Sequence, residues 1–251
     1  MEKAGHTSRG NTAMRQRNVR FTPSQILGGF EGVGIIILCF LTIFLRKARS
    51  RWGLSKLDVN RTFPADQLVT SPNHGFTHGI IIEAPAENVW PWIAQIGQGK
   101  GGFYSYEALE NIMGLNIYNA DRILPQYQNP KVGQLVSFGP DAAYPLVYCE
   151  PGRGMAIENK LDLNSKKKAN IKDSDPSNTV HLTWLWYIEE IDEYTSRFIS
   201  RNRVALDGTS KYNFIMGILL EPIIFAMDRK MCLGIKKRAE RLSKKYVQEA
   251  A

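Results

Sequence analysis

From Ile26 to Leu45 the chain reads ILGGFEGVGIIILCFLTIFL, with Glu31 as its only charge. At about 1.5 Å per helical residue, such a run reaches across the roughly 30 Å of a hydrocarbon core. No face of it is polar, so it does not read as the half-buried helix of a soluble domain. RKARSRWG follows where a cleaved secretory signal would carry small residues. The run is therefore expected to be a single transmembrane helix, with Glu31 close enough to one end for its carboxylate to reach the headgroups. Everything else in the chain has to be arranged around that segment.

The formal net charge of +8 invites a nucleic-acid reading until the charge is located. Residues 1 to 61 hold 11 Lys/Arg against 3 acids, while residues 62 to 251 hold 21 of each. The body is electroneutral, and no nucleic-acid partner is expected. Arg9, Arg15, Arg17 and Arg20 precede the apolar run, and Arg46, Lys47, Arg49, Arg51, Lys56 and Arg61 follow it. The excess lies on the C-terminal side, which by the positive-inside rule places the folded domain in the cytoplasm and requires the basic tail to be translocated. Three cysteines without a CxxC pair and four scattered histidines exclude a disulfide framework and a metal cluster; no metal and no cofactor are expected.

The remaining pattern divides the chain into a basic tail (1–25), the transmembrane helix (26–45), a juxtamembrane linker (46–74) and a folded domain (75–247). Thr77 to Glu83 is a β-branched strand that runs into a helix at Pro85, whose apolar positions Val89, Trp92, Ile93 and Ile96 share one face. Pro91 keeps that helix short. The glycine-rich GQGKGG at 97–102 follows a helix and lacks Ser or Thr after Gly-Lys, so it reads as a tight connection rather than a phosphate loop. Ser105 then caps a helix, YEALENIM, that ends at Gly114. Strands are expected at 134–138, 146–150 and 154–158, with Pro140 and Pro145 as turn residues. The polar run 164–178 reads as a solvated loop. Val180, Leu182, Trp184, Trp186 and Ile188 alternate with more polar residues as a half-buried strand, paired antiparallel with 197–206. From Pro222 a long amphipathic helix places Ile224, Met227, Met231, Ile235 and Ala239 on one face.

Two segments, VWPWIAQIGQGKGGFYSYEALENIMGLNIYNADRI (89–123) and EPIIFAMDRKMCLGIKKRAER (221–241), resemble the SRPBCC superfamily in its polyketide cyclase/dehydrase and lipid transport branch. RWG at 51–53, VGQLV and EPGRGM match it too, so that the resemblance covers about three quarters of the chain. It implies an α+β helix-grip fold, as in START domains and the birch pollen allergen: a curved antiparallel sheet around a long C-terminal helix, with a cavity for a hydrophobic molecule. Where members of that branch have a Pro-Gly-Asp turn, this chain has Pro64-Ala65-Asp66.

Fold does not choose among binders, carriers and enzymes. The leading reading is a membrane-anchored domain that binds or carries a lipid or other hydrophobic small molecule. Its ligand contacts are expected from Trp92, Phe103, Tyr104, Tyr106, Trp184, Trp186, Met227 and Met231. The alternatives are a cyclase- or dehydratase-type enzyme acting on a hydrophobic substrate, and a non-catalytic protein-interaction scaffold. Asp121 with Arg201 or Arg203 is the one polar pair expected at the cavity, although strand parity favours Phe198, Ser200, Asn202 and Val204 as the inner face.

Overall fold

The computed structural model describes residues 21–162, 179–207 and 213–250. Residues 1–20 of the basic tail and the polar run 164–178 lie outside them. Six strands, β1 (His74–Ile82), β2 (Leu135–Gly139), β3 (Ala142–Glu150), β4 (Gly154–Asp162), β5 (Thr179–Asp192) and β6 (Thr195–Asp207), form one antiparallel sheet. Their order is β1-β6-β5-β4-β3-β2, so only β1 leaves its place in the chain, to lie beside the last strand. The apolar helix α1 (Pro23–Leu41) precedes the sheet, and the short helices α2 (Ala86–Ala94) and α3 (Glu107–Ile112) follow β1. A π-helical turn, Ile215–Leu220, leads into the 30-residue helix α4 (Glu221–Ala250). This is the helix-grip arrangement, with α4 packed on α2 and on the inner face of β1 and β6.

Alternation decides which residues meet. Register places His78, Ser200 and Trp186 in one row across β1, β6 and β5, and Ile80, Phe198 and Ile188 in the next. These residues and Met231, Ile235 and Ala239 of α4 form the main core, in which Trp186, Ile188, Phe198, Ile235 and Ala239 are fully buried. Burying side chains of this size contributes about 1.5–3 kcal/mol each. α2 runs through Pro91 to Ala94 and stays at nine residues. α3 is not capped by Ser105: Tyr106 is the cap residue, and the Ser105 hydroxyl turns inward to donate to Glu110. Pro145 sits inside β3 rather than in a turn. It stands where β3 stops pairing with β2 and begins to pair with β4 at Leu146, a junction at which a missing N–H is tolerated.

The stretch between α1 and β1 is tied to the sheet at several points. The carbonyls of Ser50 and Trp52 accept the N–H groups of Thr77 and Gly79 on the free edge of β1. Further on, Phe63 and Ala65 cover Leu185, Ile199 and Ala156 on the outer sheet face as a second, smaller core. The Ala65-Asp66 turn is thus part of the packed body, and its departure from Pro-Gly-Asp reaches beyond a linker. Ala65 itself has φ 67, a left-handed conformation that glycine would adopt without a steric cost.

Candidate functional site

β1 and α4 each bring one ionisable residue to the inner face. His78 has the parity of Ile80 and Ile82, and Asp228 lies four residues after Ile224 and three before Met231, on the apolar face of α4. His78 Nδ1 is 2.5 Å from Asp228 Oδ2, and the Ser200 hydroxyl donates to Asp228 Oδ1 at 2.6 Å. Trp184 Nε1 donates to the Ser200 oxygen at 2.9 Å, and Cys232 Sγ lies 3.8 Å from Asp228 Oδ2. Burial, with Asp228 adding to it, pushes the Cys232 thiol well above its ordinary pKa. Phe76 stacks on the His78 ring at 4.2 Å, with Phe225 and Trp52 edge-on. Donors converge on one carboxylate here, with Asp228 between His78 and Ser200. A hydrolase triad needs the imidazole in the middle, so Ser200 has no base to make it a nucleophile.

Phe76 is also a wall of a groove of about 410 Å³ between the start of β1, the end of β6 and the first turns of α4. Phe76, Val204, Met216 and Ile224 are its apolar lining, and Arg46 and Lys47, just after α1, form a cationic rim. Arg46 is partnered by Glu221. A larger depression, of about 750 Å³, runs along Leu233–Gln248 and is an open, lysine-lined flank of α4.

Of the residues expected at a ligand, Trp92, Tyr104, Trp186 and Met231 are buried in the main core, with Phe103 beside them. Met227 is half-buried on α4. Phe103, Phe138 and Trp184 form a run of touching rings, with centroids 4.7 and 5.8 Å apart, that Trp184 extends to Phe76 at 6.3 Å. The indole N–H groups of Trp92 and Trp186 are buried without a hydrogen-bond partner. Tyr104 has φ 58, costly for a bulky residue. Its N–H donates to Asn119 Oδ1 at 2.6 Å, and Gly234 of α4 allows its backbone to approach to a distance that any side chain there would block. Tyr106 points away from the sheet and donates to Glu31 of α1 at 3.0 Å.

The expected pairing of Asp121 with Arg201 or Arg203 is not made. Arg201 has the outer parity of β6, where Asp66 receives it at 2.8 and 3.1 Å and Thr77 Oγ1 at 2.7 Å. Arg203 donates to the carbonyl of Val69. Asp121 is exposed and pairs with Arg238 at 2.8 Å. Another carboxyl, Glu110 on α3, is pushed up to about 7 by burial, with the Ser105 hydrogen bond acting in the opposite sense. His78 and Asp228 were not anticipated as a pair. The available sign was a polar residue at a core position of each element.

No protein-family model and no curated protein sequence matches the chain. Among solved structures it is similar to a conserved protein from Geobacillus kaustophilus, at 13% identity over 66% of this chain and 95% of that one, with a TM-score of 0.36. A protein from Arthrobacter aurescens matches at 12% identity over 67% and 92%, with a TM-score of 0.37. Norcoclaurine synthase from Thalictrum flavum matches at 12% identity over 71% and 93%, with a TM-score of 0.32.

Proposed function

We propose that this protein is a membrane-attached, SRPBCC-type domain that binds or carries a lipid or other hydrophobic small molecule. The observation that carries this reading is the groove at Phe76, Val204, Met216 and Ile224. Its volume falls within the range of small-molecule sites, and its lining combines an apolar patch, Phe76, Val204, Met216 and Ile224, with polar groups from Asn73, His74 and Asn202 and a cationic rim. That rim follows α1 after one short helical turn, Ile43–Leu45, so an amphiphile with an anionic head has its charge beside Lys47 and its chain against Phe76 and Ile224. The basic residues on both sides of the apolar run favour the anionic cytoplasmic leaflet, and so the cytoplasmic side, for the domain.

The test is to purify the full chain in detergent, extract bound small molecules for mass spectrometry, and titrate pyrene-labelled phosphatidylglycerol. Ile224→Trp fills the groove and is expected to weaken the probe at least tenfold; Lys47→Glu is expected to weaken it severalfold. Equal binding by the wild type and Ile224→Trp, with no extracted hydrophobic molecule, would refute the reading. His78 with Asp228 favours a second reading, an enzyme that uses the pair as acid and base on a hydrophobic substrate. Turnover of a bound molecule that disappears in His78→Gln without loss of binding would establish it.

A further inference from the structure

α1 is long and apolar enough to cross a membrane, yet it lies along its own domain. Gln25 Nε2 donates to Glu107 Oε1 of α3 at 2.5 Å. Glu31 accepts from Lys230 Nζ at 2.7 Å and from the Tyr106 hydroxyl at 3.0 Å. At the far end Arg49 donates to the Thr42 carbonyl at 2.7 Å, and Arg46 pairs with Glu221. The buried residues of the contact face are Gly29, Gly32 and Cys39. A Cβ at Gly32 would stand 2.8 Å from Leu109 and 2.9 Å from Tyr106, and one at Gly29 would stand 3.4 Å from the Cβ of Ala108. The opposite face is apolar and open, with Leu27, Phe30, Leu41 and Phe44 between 71 and 78% exposed. Ile112, at the end of α3, and Met113 just after it are also exposed.

We infer that α1 lies in the plane of an anionic bilayer surface, its glycine face on the domain and its apolar face in the lipid, instead of crossing the membrane. This rests on the reading that the protein is membrane-attached, and specifies how. A crossing helix has lipid around its whole apolar length. α1 in its docked position would carry α3 and α4 to the same depth, together with Glu107, Arg229 and Lys230, at a prohibitive cost in desolvation. In plane, one face enters about 5–10 Å and the polar contacts of the other remain in protein. Charge agrees. Both flanks of the apolar run are basic; a crossing helix would have to send one of them across, whereas an in-plane helix leaves both on the same anionic surface. Glu31, the charge hardest to place in a spanning helix, is here already paired.

Two measurements on the full chain in native membranes test this. In the first, Gly29→Cys with Ala108→Cys is oxidised with copper phenanthroline, since the Cβ separation suits a disulfide. The expected result is a reductant-sensitive mobility shift, absent from either single substitution. In the second, short tags at the two termini are probed with antibody before and after permeabilisation, and both are expected on the same side. Tags on opposite sides, or a membrane-bound double variant that does not cross-link, would overturn the in-plane arrangement while leaving membrane attachment standing. A chain that stays in the soluble fraction and does not float with phosphatidylglycerol-containing vesicles would overturn both.

Discussion

Asp228 of α4 and His78 of β1 meet at 2.5 Å with 1% of either side chain exposed, which makes them the polar seam between the long helix and the sheet. Removing one partner leaves the other buried and unpaired. Asp228→Ala is expected to cost about 3–5 kcal/mol in urea unfolding. Adding His78→Phe is expected to recover part of that loss, because both polar groups are then gone. If the double variant is no more stable than the single one, the pair is not the energetic unit described.

Two ion pairs should differ sharply in weight. Arg201 and Asp66 have side chains 7 and 12% exposed, whereas Asp121 is 74% exposed beside Arg238. Arg201→Gln is expected to destabilise by about 3 kcal/mol and Asp121→Asn by about 0–1 kcal/mol. Comparable losses from the two would show that burial does not set their contributions.

Ala65 holds a left-handed conformation at φ 67. Ala65→Gly relieves a steric penalty of about 1 kcal/mol and loses part of the gain to the greater freedom of the unfolded chain. A net stabilisation of about 0.5 kcal/mol is expected in thermal unfolding. A lower melting temperature for the glycine variant would contradict it.

Glu110 gives stability a pH dependence of known sign. Its carboxyl lies near 4.5 when unfolded and is raised to about 7 by burial in the fold. Below pH 4.5 both states hold the proton and the fold bears no penalty. As the pH rises from 4.5 to about 7, the unfolded state ionises first, and about 3 kcal/mol of stability is lost. Glu110→Gln keeps a partner for Ser105 and cannot ionise. Its unfolding free energy should be flatter than the wild type's across that window, and equal slopes would remove Glu110 as the cause.

Periodicity made most of the sheet legible. Val180, Leu182, Trp184, Trp186 and Ile188 share one parity, and Ile224 to Ala239 repeats at the helical period, because both elements turn those positions towards the main core. Parity also placed Ser200 inside and Arg201 outside. What periodicity could not reveal was the covering of the outer sheet face. Phe63, Ala65 and Asp66 lie in an aperiodic stretch, and only the fold shows that Leu185, Ile199 and Arg201 need them. The candidate site was less legible still. Aromatic residues are abundant, and the sequence alone does not separate Trp186, locked in the core, from Phe76 at the groove. Tyr106 enters the expected ligand contacts only as one aromatic residue among many, and its hydroxyl is taken by Glu31 of α1.

The segment laid along β1 has a consequence for self-association. Ser50 and Trp52 occupy the outward N–H groups of Thr77 and Gly79, Lys236 caps the carbonyl of Ile81, and Glu240 takes the N–H of Glu83. Every one of these groups belongs to an edge that would otherwise template pairing with a second copy of the strand. A chain trimmed to begin at residue 62 would keep the lysine and glutamate but uncover the first half of that edge, next to the β-branched run of Ile80, Ile81 and Ile82. The residues following α1 thus act as a built-in guard against sheet-to-sheet aggregation, and a truncation meant to make the domain more soluble would work against itself unless it begins before Ser50.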